Sequence, residues 1–413
     1  MPLQLMMKCL HGIIDLPGSK SESNRALMIA AYGGFPFEAE NLSEARDTVL
    51  LKTLLEQIQN DTQGTIDCED AGTVSRFLMT YLACVPGEWL LTGTERLCER
   101  PMAPLIDALC QLGADITCVE KNGFLPIRIH GKKLKGGPVT LDASLSSQFA
   151  TSLLLAAPTW DSGLQLIFRG KTVSEPYINM TLSIMAQFGV NAVRNGDAIT
   201  VACQPYRPCR FKISADWSSA SYWYEMLALS AGGSLLLKGL QRHTMQGDAR
   251  VAEFFEPLGI NTDFTGEGAV ITSDGVLPPI KKPLEFDFSN APDLFPSVLV
   301  SCVALHIETV FWGITTLFIK ESDRVHSLIA ELSKIYTFIN IIENDRLIIE
   351  KSSLSDSFIN DRNLSFKTYD DHRVAMALAG LKLRFDEIAI EGCDTVNKSY
   401  PMFWKDVRKL CEV

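Results

Sequence analysis

The sequence predicts an α/β protein built as two similar halves, and three observations carry that expectation. The chain has 413 residues, 46% of them hydrophobic, which is longer than one core usually serves and rich enough for two. A short alternating strand, a polar cluster and an apolar helix recur six times, the mark of a repeat too small to close its own core. A second series of strands and polar helix starts runs between the first, so each unit reads strand, helix, strand, helix, strand.

In chain order the six clusters are LPGSKSESNRALMIA, CEDAGTVSRFLMTYLA, DASLSSQFATSLLLAAP, SADWSSASYWYEMLALS, SNAPDLFPSVLVSCVAL and YDDHRVAMALAG. Anchored at Ser21, Gly72, Ser146, Ser218, Asp293 and Asp371, they stand 51, 74, 72, 75 and 78 residues apart. The strands EWLLTG, LQLIFRG, SLLLKG and EIAIEG belong to the second series. Its helix starts are SEARDTVLLKTLL, CERPMAPLIDAL, SEPYINMTLSIM, MQGDARVAEFF, KESDRVHSLIAEL and NKSYPMFWKDV. Three units per half predict one domain at 19–213 and a second at 214–413. The first strand, LMMKCLHGIIDLPG, is expected to complete the second half, giving domains 19–213 and 1–18 with 214–413 and two chain crossings, near Gly18 and Ser214.

A net charge of −11 and a pI near 5.2 argue against a nucleic-acid binder or a ligand of acidic membranes, either of which needs a broad basic face. Any anion site must then be local. The eleven cysteines are scattered, with no CxxC pair and no Cys/His cluster at zinc spacing, which predicts free thiols in a reducing cytoplasm and no metal site. MPLQLMMKCLHG lacks a basic n-region, and the most apolar later stretch, 294–314, is interrupted by Pro296, His306 and Glu308; neither a signal peptide nor a membrane span is expected.

The opening cluster crowds Ser19, Lys20, Ser21, Ser23, Asn24 and Arg25 at one helix start. A helix N-terminus offers free N–H groups and partial positive charge, so added cations and hydroxyls there suit an anion such as phosphate. Capping explains Ser21 or Ser23 but not Lys20 and Arg25. Across the repeats such starts supply Lys20, Arg25, Arg76, Arg100, Lys320, Arg324, Arg373 and Lys398. If they share one cleft, they form a positive trap for two anions. Like charges ~4 Å apart repel by about 4 kcal/mol at an effective dielectric of 20, so two phosphorylated substrates would need several fixed cations.

The motifs LPGSKSESNRAL, DAGTVSRFL, LTGTERLCERPMAPLIDAL, SLSSQFATSLLLAAP, TVSEPYINMTL, DWSSASY, QGD, DFSNAPD, IKESDR, YDDHRVAMAL and CDTVNKSYP resemble, in order and across nearly the whole chain, the 5-enolpyruvylshikimate-3-phosphate synthases, or 3-phosphoshikimate 1-carboxyvinyltransferases. The resemblance implies two inside-out α/β barrel-like domains, each from three βαβαββ-type repeats, joined by a two-crossing hinge. It implies transfer of the enolpyruvyl group of phosphoenolpyruvate to the 5-hydroxyl of shikimate 3-phosphate with release of phosphate, a step toward chorismate and the aromatic amino acids. It further implies a cytoplasmic monomer working without metal or organic cofactor.

By the same resemblance, Ser146, Ser147 and Ser174 hold the phosphate of shikimate 3-phosphate, while Ser21, Arg25, Gln148, Tyr177, Asp293, Thr316 and Lys320 contact its ring and substituents. Phosphoenolpyruvate falls to Arg100, Arg324 and Arg373, with Lys20, Lys398, Gln148 and the backbone at Gly72; Lys20 also faces the first substrate. Asp293 is the expected base, and Glu321 and Lys20 the expected proton-transfer groups, help worth about 10² to 10⁴ in rate. His372 is expected to be a structural hydrogen-bonding residue, with Asp371 orienting the neighbouring arginine. Three positions depart from the family pattern. Asp70 stands where many members carry Asn, which puts a carboxylate near the phosphoenolpyruvate pocket for Arg76 or Arg100 to neutralise; Phe77 replaces Pro and Thr316 replaces Asn.

The nearest alternative is a UDP-N-acetylglucosamine enolpyruvyl transferase, but Glu95 occupies the position of its reactive cysteine, and Lys20 is followed by Ser21 rather than Asn. An RNA 3′-phosphate cyclase would need a nucleotidyl-accepting histidine and a basic track, neither of which this acidic chain offers. A catalytically silent relative is the third reading.

Overall fold

The structure, a computed structural model, describes residues 8–142, 146–170, 174–335, 339–342, 345–350, 364–385 and 388–411. It is a mixed α/β protein. Each of the six polar clusters opens a helix: α1 (Lys20–Gly33), α2 (Gly72–Cys84), α3 (Ser147–Ala156), α4 (Trp217–Leu229), α5 (Phe295–Ala304, behind a 3₁₀ turn at Pro292–Leu294) and α6 (His372–Gly380). Side chains cap four of them. Ser19, Ser146, Asp216 and Asp371 accept from the backbone N–H groups of Glu22, Gln148, Ser219 and Arg373, each worth about 1 kcal/mol. Gly34, at φ 65°, closes α1 in the left-handed region that glycine enters without strain.

The chain divides into two compact units, Ser19–Ile213, and Met1–Gly18 with Ser214–Val413. In the first, α1, α2 and α3 pack against one another pairwise; in the second, α4, α5 and α6 do the same. These helices are enclosed on nearly every side, and in α4 only Ala228 escapes full burial. That is why they are apolar or small all round rather than striped.

The sheets repeat one pattern. Gln63–Asp67 runs parallel to Gly87–Thr92, which is antiparallel to Ile127–Gly131, itself antiparallel to Asp115–Cys118. The same order governs Gly137–Asp142, Leu164–Arg169, Ala198–Val201 and Ala192–Asn195. In the second unit it governs Leu284–Asp287, Thr309–Trp312, Arg346–Ile349 and Ile339–Ile342. Among the described residues, Leu364–Lys367 and Ile388–Glu391 show only the parallel pair. Each of these parallel pairs brackets a central helix, as parallel neighbours require a crossover. Strand side chains alternate accordingly: Leu164, Leu166 and Phe168 are buried, and Gln165, Ile167 and Arg169 are exposed.

The strands flanking α1 and α4 exchange partners. Leu10–Asp15 pairs in parallel with Gly233–Lys238, Leu10 opposite Gly233, in a sheet completed by Gly268–Ser273 and Asn261–Phe264. Ala39–Glu40, which follows α1, pairs with Phe211–Lys212, which precedes α4. Among the described residues, no helix is long and apolar enough to cross a membrane.

Candidate active site

In the Ser19–Ile213 unit the charged groups gather at the starts of α1, α2 and α3. Lys20, the first residue of α1, places Nζ 2.9 Å from Asp47 Oδ2, with Asp47 buried and Lys20 largely so. Asp47 belongs to the first turn of Arg46–Asn60, where a carboxylate favours the helix dipole; nothing in the sequence singles it out.

Arg25 ties three helices together. It donates from Nε to Thr181 Oγ1 at 2.9 Å, from Nη1 to the Ser21 carbonyl at 2.8 Å, and from Nη2 to Thr151 Oγ1 and the Tyr177 carbonyl at 3.3 and 3.2 Å. Its guanidinium carbon also lies 5.9 Å from the ring centroids of both Phe77 and Tyr177. Burial lowers its pKa to about 10, so it remains a cation at neutral pH. Of its five donors, one Nη1 N–H is left over among the described residues.

At α2, two guanidinium tips crowd Gly72. A Cβ there would come within 2.3 Å of Arg100 Nη1 and 2.9 Å of Arg76 Nη1, so two buried guanidiniums lie against one backbone position. Arg76 Nη1 donates to Gln148 Oε1 at 2.6 Å, and Gln148 Nε2 donates to Thr73 Oγ1 at 2.9 Å, fixing which way the amide faces. Phe149 lies under the Arg76 guanidinium, 5.2 Å from its carbon. Asp70, expected near Arg76 or Arg100, has its carboxylate 4.0 Å from Arg46, a cation the sequence did not single out. Ser146 caps α3, Ser147 is buried behind it, and Ser174 is buried in the left-handed region at φ 56° with its hydroxyl unused as a cap. A non-glycine residue held there costs of order 1–3 kcal/mol and persists only where its surroundings enforce it.

In the other unit, one guanidinium organises the charges. Arg324, fully buried, donates from Nη1 to Asp293 Oδ1 at 3.0 Å, from Nη2 to Glu321 Oε2 at 2.6 Å and from Nε to Asp371 Oδ2 at 2.8 Å. Arg373 Nη2 takes the second oxygen of Asp293 at 2.7 Å, and its Nη1 reaches Tyr222 Oη at 3.5 Å. Asp371 also accepts from Ser322 Oγ and from the backbone N–H of Arg373, so it fixes the side chain of one arginine and the helix start of the other. Thr316 and Lys398 are buried, Lys320 partly so, and His372 is buried as the first residue of α6.

Electrostatics split the carboxylates. Burial alone would raise Asp293, but Arg373, Lys320 and Arg324 outweigh it and hold the carboxyl well below the ordinary range. Arg324 stays protonated because Asp371, Glu321 and Asp293 overcome the cost of its burial. Asp248 goes the other way: burial, reinforced by the charge of Asp293, pushes it up to about 7. Its Oδ2 accepts from Ser218 Oγ, while Oδ1 has no partner among the described residues. Neighbouring carboxylates driven apart in this way are suited to different proton roles. Asp248 lies in the QGD motif, and nothing in the sequence marks its depth.

The folded protein therefore holds a proton on Asp248 between its ordinary value of 3.8 and about 7, which the unfolded chain gives up. The unfolding constant should rise about tenfold per pH unit from this group across that interval and level off above it. Asp248→Asn is expected to remove that component in denaturant titrations between pH 3.8 and about 7; equal slopes there in parent and variant would count against it.

The model of the family EPSP synthase (3-phosphoshikimate 1-carboxyvinyltransferase) matches residues 37–407. A 3-phosphoshikimate 1-carboxyvinyltransferase of Bacteroides fragilis (strain YCH46) is 41% identical over 403 residues, 97% of this chain and 95% of that protein. One from Shewanella denitrificans is 32% identical over 430 residues, 98% and 97% of the two chains. Among solved structures, an EPSP synthase from Acinetobacter baumannii has the same fold, with a TM-score of 0.70 at 23% identity over 98% of this chain and 96% of that one.

Proposed function

The chain belongs to the EPSP synthase family and has that family's activity, in the shikimate pathway; from that premise we propose how its residues divide the work. Phosphoenolpyruvate and shikimate 3-phosphate are the substrates, and the enolpyruvyl group passes to the 5-hydroxyl as phosphate leaves. Ser146, Ser147 and Ser174 take the phosphate of the acceptor through hydroxyls and helix N–H groups. Ser21, Gln148, Tyr177, Thr316, Lys320 and the remaining N–H of Arg25 take its ring. Arg100, Arg324, Arg373, Lys20 and Lys398, with Gln148 and the backbone at Gly72, take phosphoenolpyruvate. Guanidiniums suit its carboxylate and phosphate because they bind both in two-pronged fashion.

The observation that carries the catalytic part is the double grip of Arg324 and Arg373 on Asp293. A carboxylate so held is a weak base. The anionic groups of phosphoenolpyruvate compete for the same two arginines, loosen that grip and strengthen Asp293 as a proton acceptor at the moment the donor arrives. Glu321, released in part from Arg324, and Lys20 handle the proton that reaches and leaves the methylene carbon. The finer architecture in this reading is two inside-out domains of three repeats, 19–213 and 1–18 with 214–413, that close on their substrates across a hinge. The enzyme acts in the cytoplasm as a monomer, with no part for nucleic acid or membrane.

Phosphate release with shikimate 3-phosphate as acceptor, compared with UDP-N-acetylglucosamine, tests the assignment; preference for the amino sugar, or no release with either, would overturn it. Gly72→Ala, which drives a methyl into Arg100 and Arg76, should raise KM for phosphoenolpyruvate by about 10- to 100-fold, the value of a charged hydrogen bond. KM for shikimate 3-phosphate should stay nearly constant in the same assay.

A further inference from the structure

Glu225, on α4, takes no part in the charge network just described. Its residue is wholly buried, and among the described residues neither carboxylate oxygen has a hydrogen-bond partner. It faces α6 at Gly380, where a Cβ would come within 2.6 Å of Oε1, 3.0 Å of Cδ and 3.1 Å of Cγ. The missing side chain of one residue thus provides the room for the carboxyl of the other. An isolated carboxylate in such surroundings is far costlier than the neutral acid.

We propose that Glu225 is a proton-operated lock between α4 and α6: as a carboxylic acid it fills the space over Gly380, and on losing its proton it forces the two helices apart. The surrounding ionisable groups do not stabilise its charge. They are Tyr222 and Tyr224 on its own helix, His372 and Arg373 on α6, Lys382 just beyond, Cys302 on α5, and Asp293 in the turn before α5. Farther round lie Asp248, Arg250 and Glu253 in the segment after Gln246, and Lys238 on the adjacent strand. None of them shifts Glu225; burial alone pushes it well above the carboxylate range. The lock also bears on chemistry, because Tyr222 sits one turn before Glu225 and contacts Arg373 on the partner helix.

The sign of the linkage is fixed. From the ordinary value of 4.5 upward, the folded state carries a proton the unfolded chain lacks, so stability is lost as pH rises until the buried acid ionises. Asp248 and the buried thiols are common to the parent and a Glu225 variant, so the difference between the two isolates this component between pH 4.5 and neutrality. Two measurements on the full chain test the proposal. At neutral pH, the infrared spectrum should contain the carbonyl band of a protonated carboxylic acid that disappears in Glu225→Gln. In that pH window, the parent's unfolding constant should rise about tenfold per unit more steeply than the variant's. Glu225→Met, which keeps the volume and removes the polar group, should lose the extra slope as well and serves if the amide fails to fold. A carboxylate band at Glu225, or parallel slopes in parent and variants, would overturn the lock.

Discussion

Replacing Arg324 by Met should abolish measurable turnover and destabilise the unit that contains it by about 3–5 kcal/mol, the cost of removing one partner from a buried ionic cluster. Asp293, Glu321 and Asp371 all point at this guanidinium; without it three carboxyls confront one another. Loss of the shared cation favours the protonated forms of these carboxyls, so the variant should be more stable at mildly acidic pH than at pH 7, the reverse of what a surface arginine would give. Arg324→Lys should recover little, since one ammonium cannot address three acceptors in the fork geometry. Thermal melts across pH, with phosphate release, decide the matter. A variant within about 1 kcal/mol of the parent, the range of an exposed pair, would count against it.

Asp293→Asn should lower kcat by about 10² to 10⁴, the usual worth of general acid–base help, while leaving the Kd of shikimate 3-phosphate within about tenfold, the range of a single net hydrogen bond. The isosteric amide keeps a carbonyl for one arginine but removes the charge that both now share. Apparent affinity for phosphoenolpyruvate should therefore improve or hold, because its anions no longer compete with Asp293 for Arg324 and Arg373. A kcat near that of the parent, or a loss expressed in KM for phosphoenolpyruvate alone, would remove Asp293 from proton transfer.

The recurrence of a polar cluster ahead of an apolar helix was readable because a buried helix start needs caps and polar groups, and these leave a local mark. Each of the six clusters does begin a helix. Tertiary partners leave no such mark. Arg25 reads as a cation at a helix start, yet its donors go to Thr181, Thr151 and the Tyr177 carbonyl, more than a hundred residues away. Asp371 looked like the orienting group of its neighbour Arg373, but its side chain reaches Arg324 as well. Asp47 and Asp248 resemble ordinary carboxylates of a first helical turn until burial sets one against Lys20 and lifts the other toward 7. Glu225 reads in sequence as a break in an apolar run, and only the glycine opposite explains it.

The partner exchange between Leu10–Asp15 and Gly233–Lys238 has a bearing on synthesis. The first strand leaves the ribosome about 220 residues ahead of its mate, while every pairing inside 19–213 is already available. Long-range closure is slow and an unpaired edge is open to aggregation. Nascent chains should accordingly mature from the middle outward, with the earliest residues made among the last to find their place.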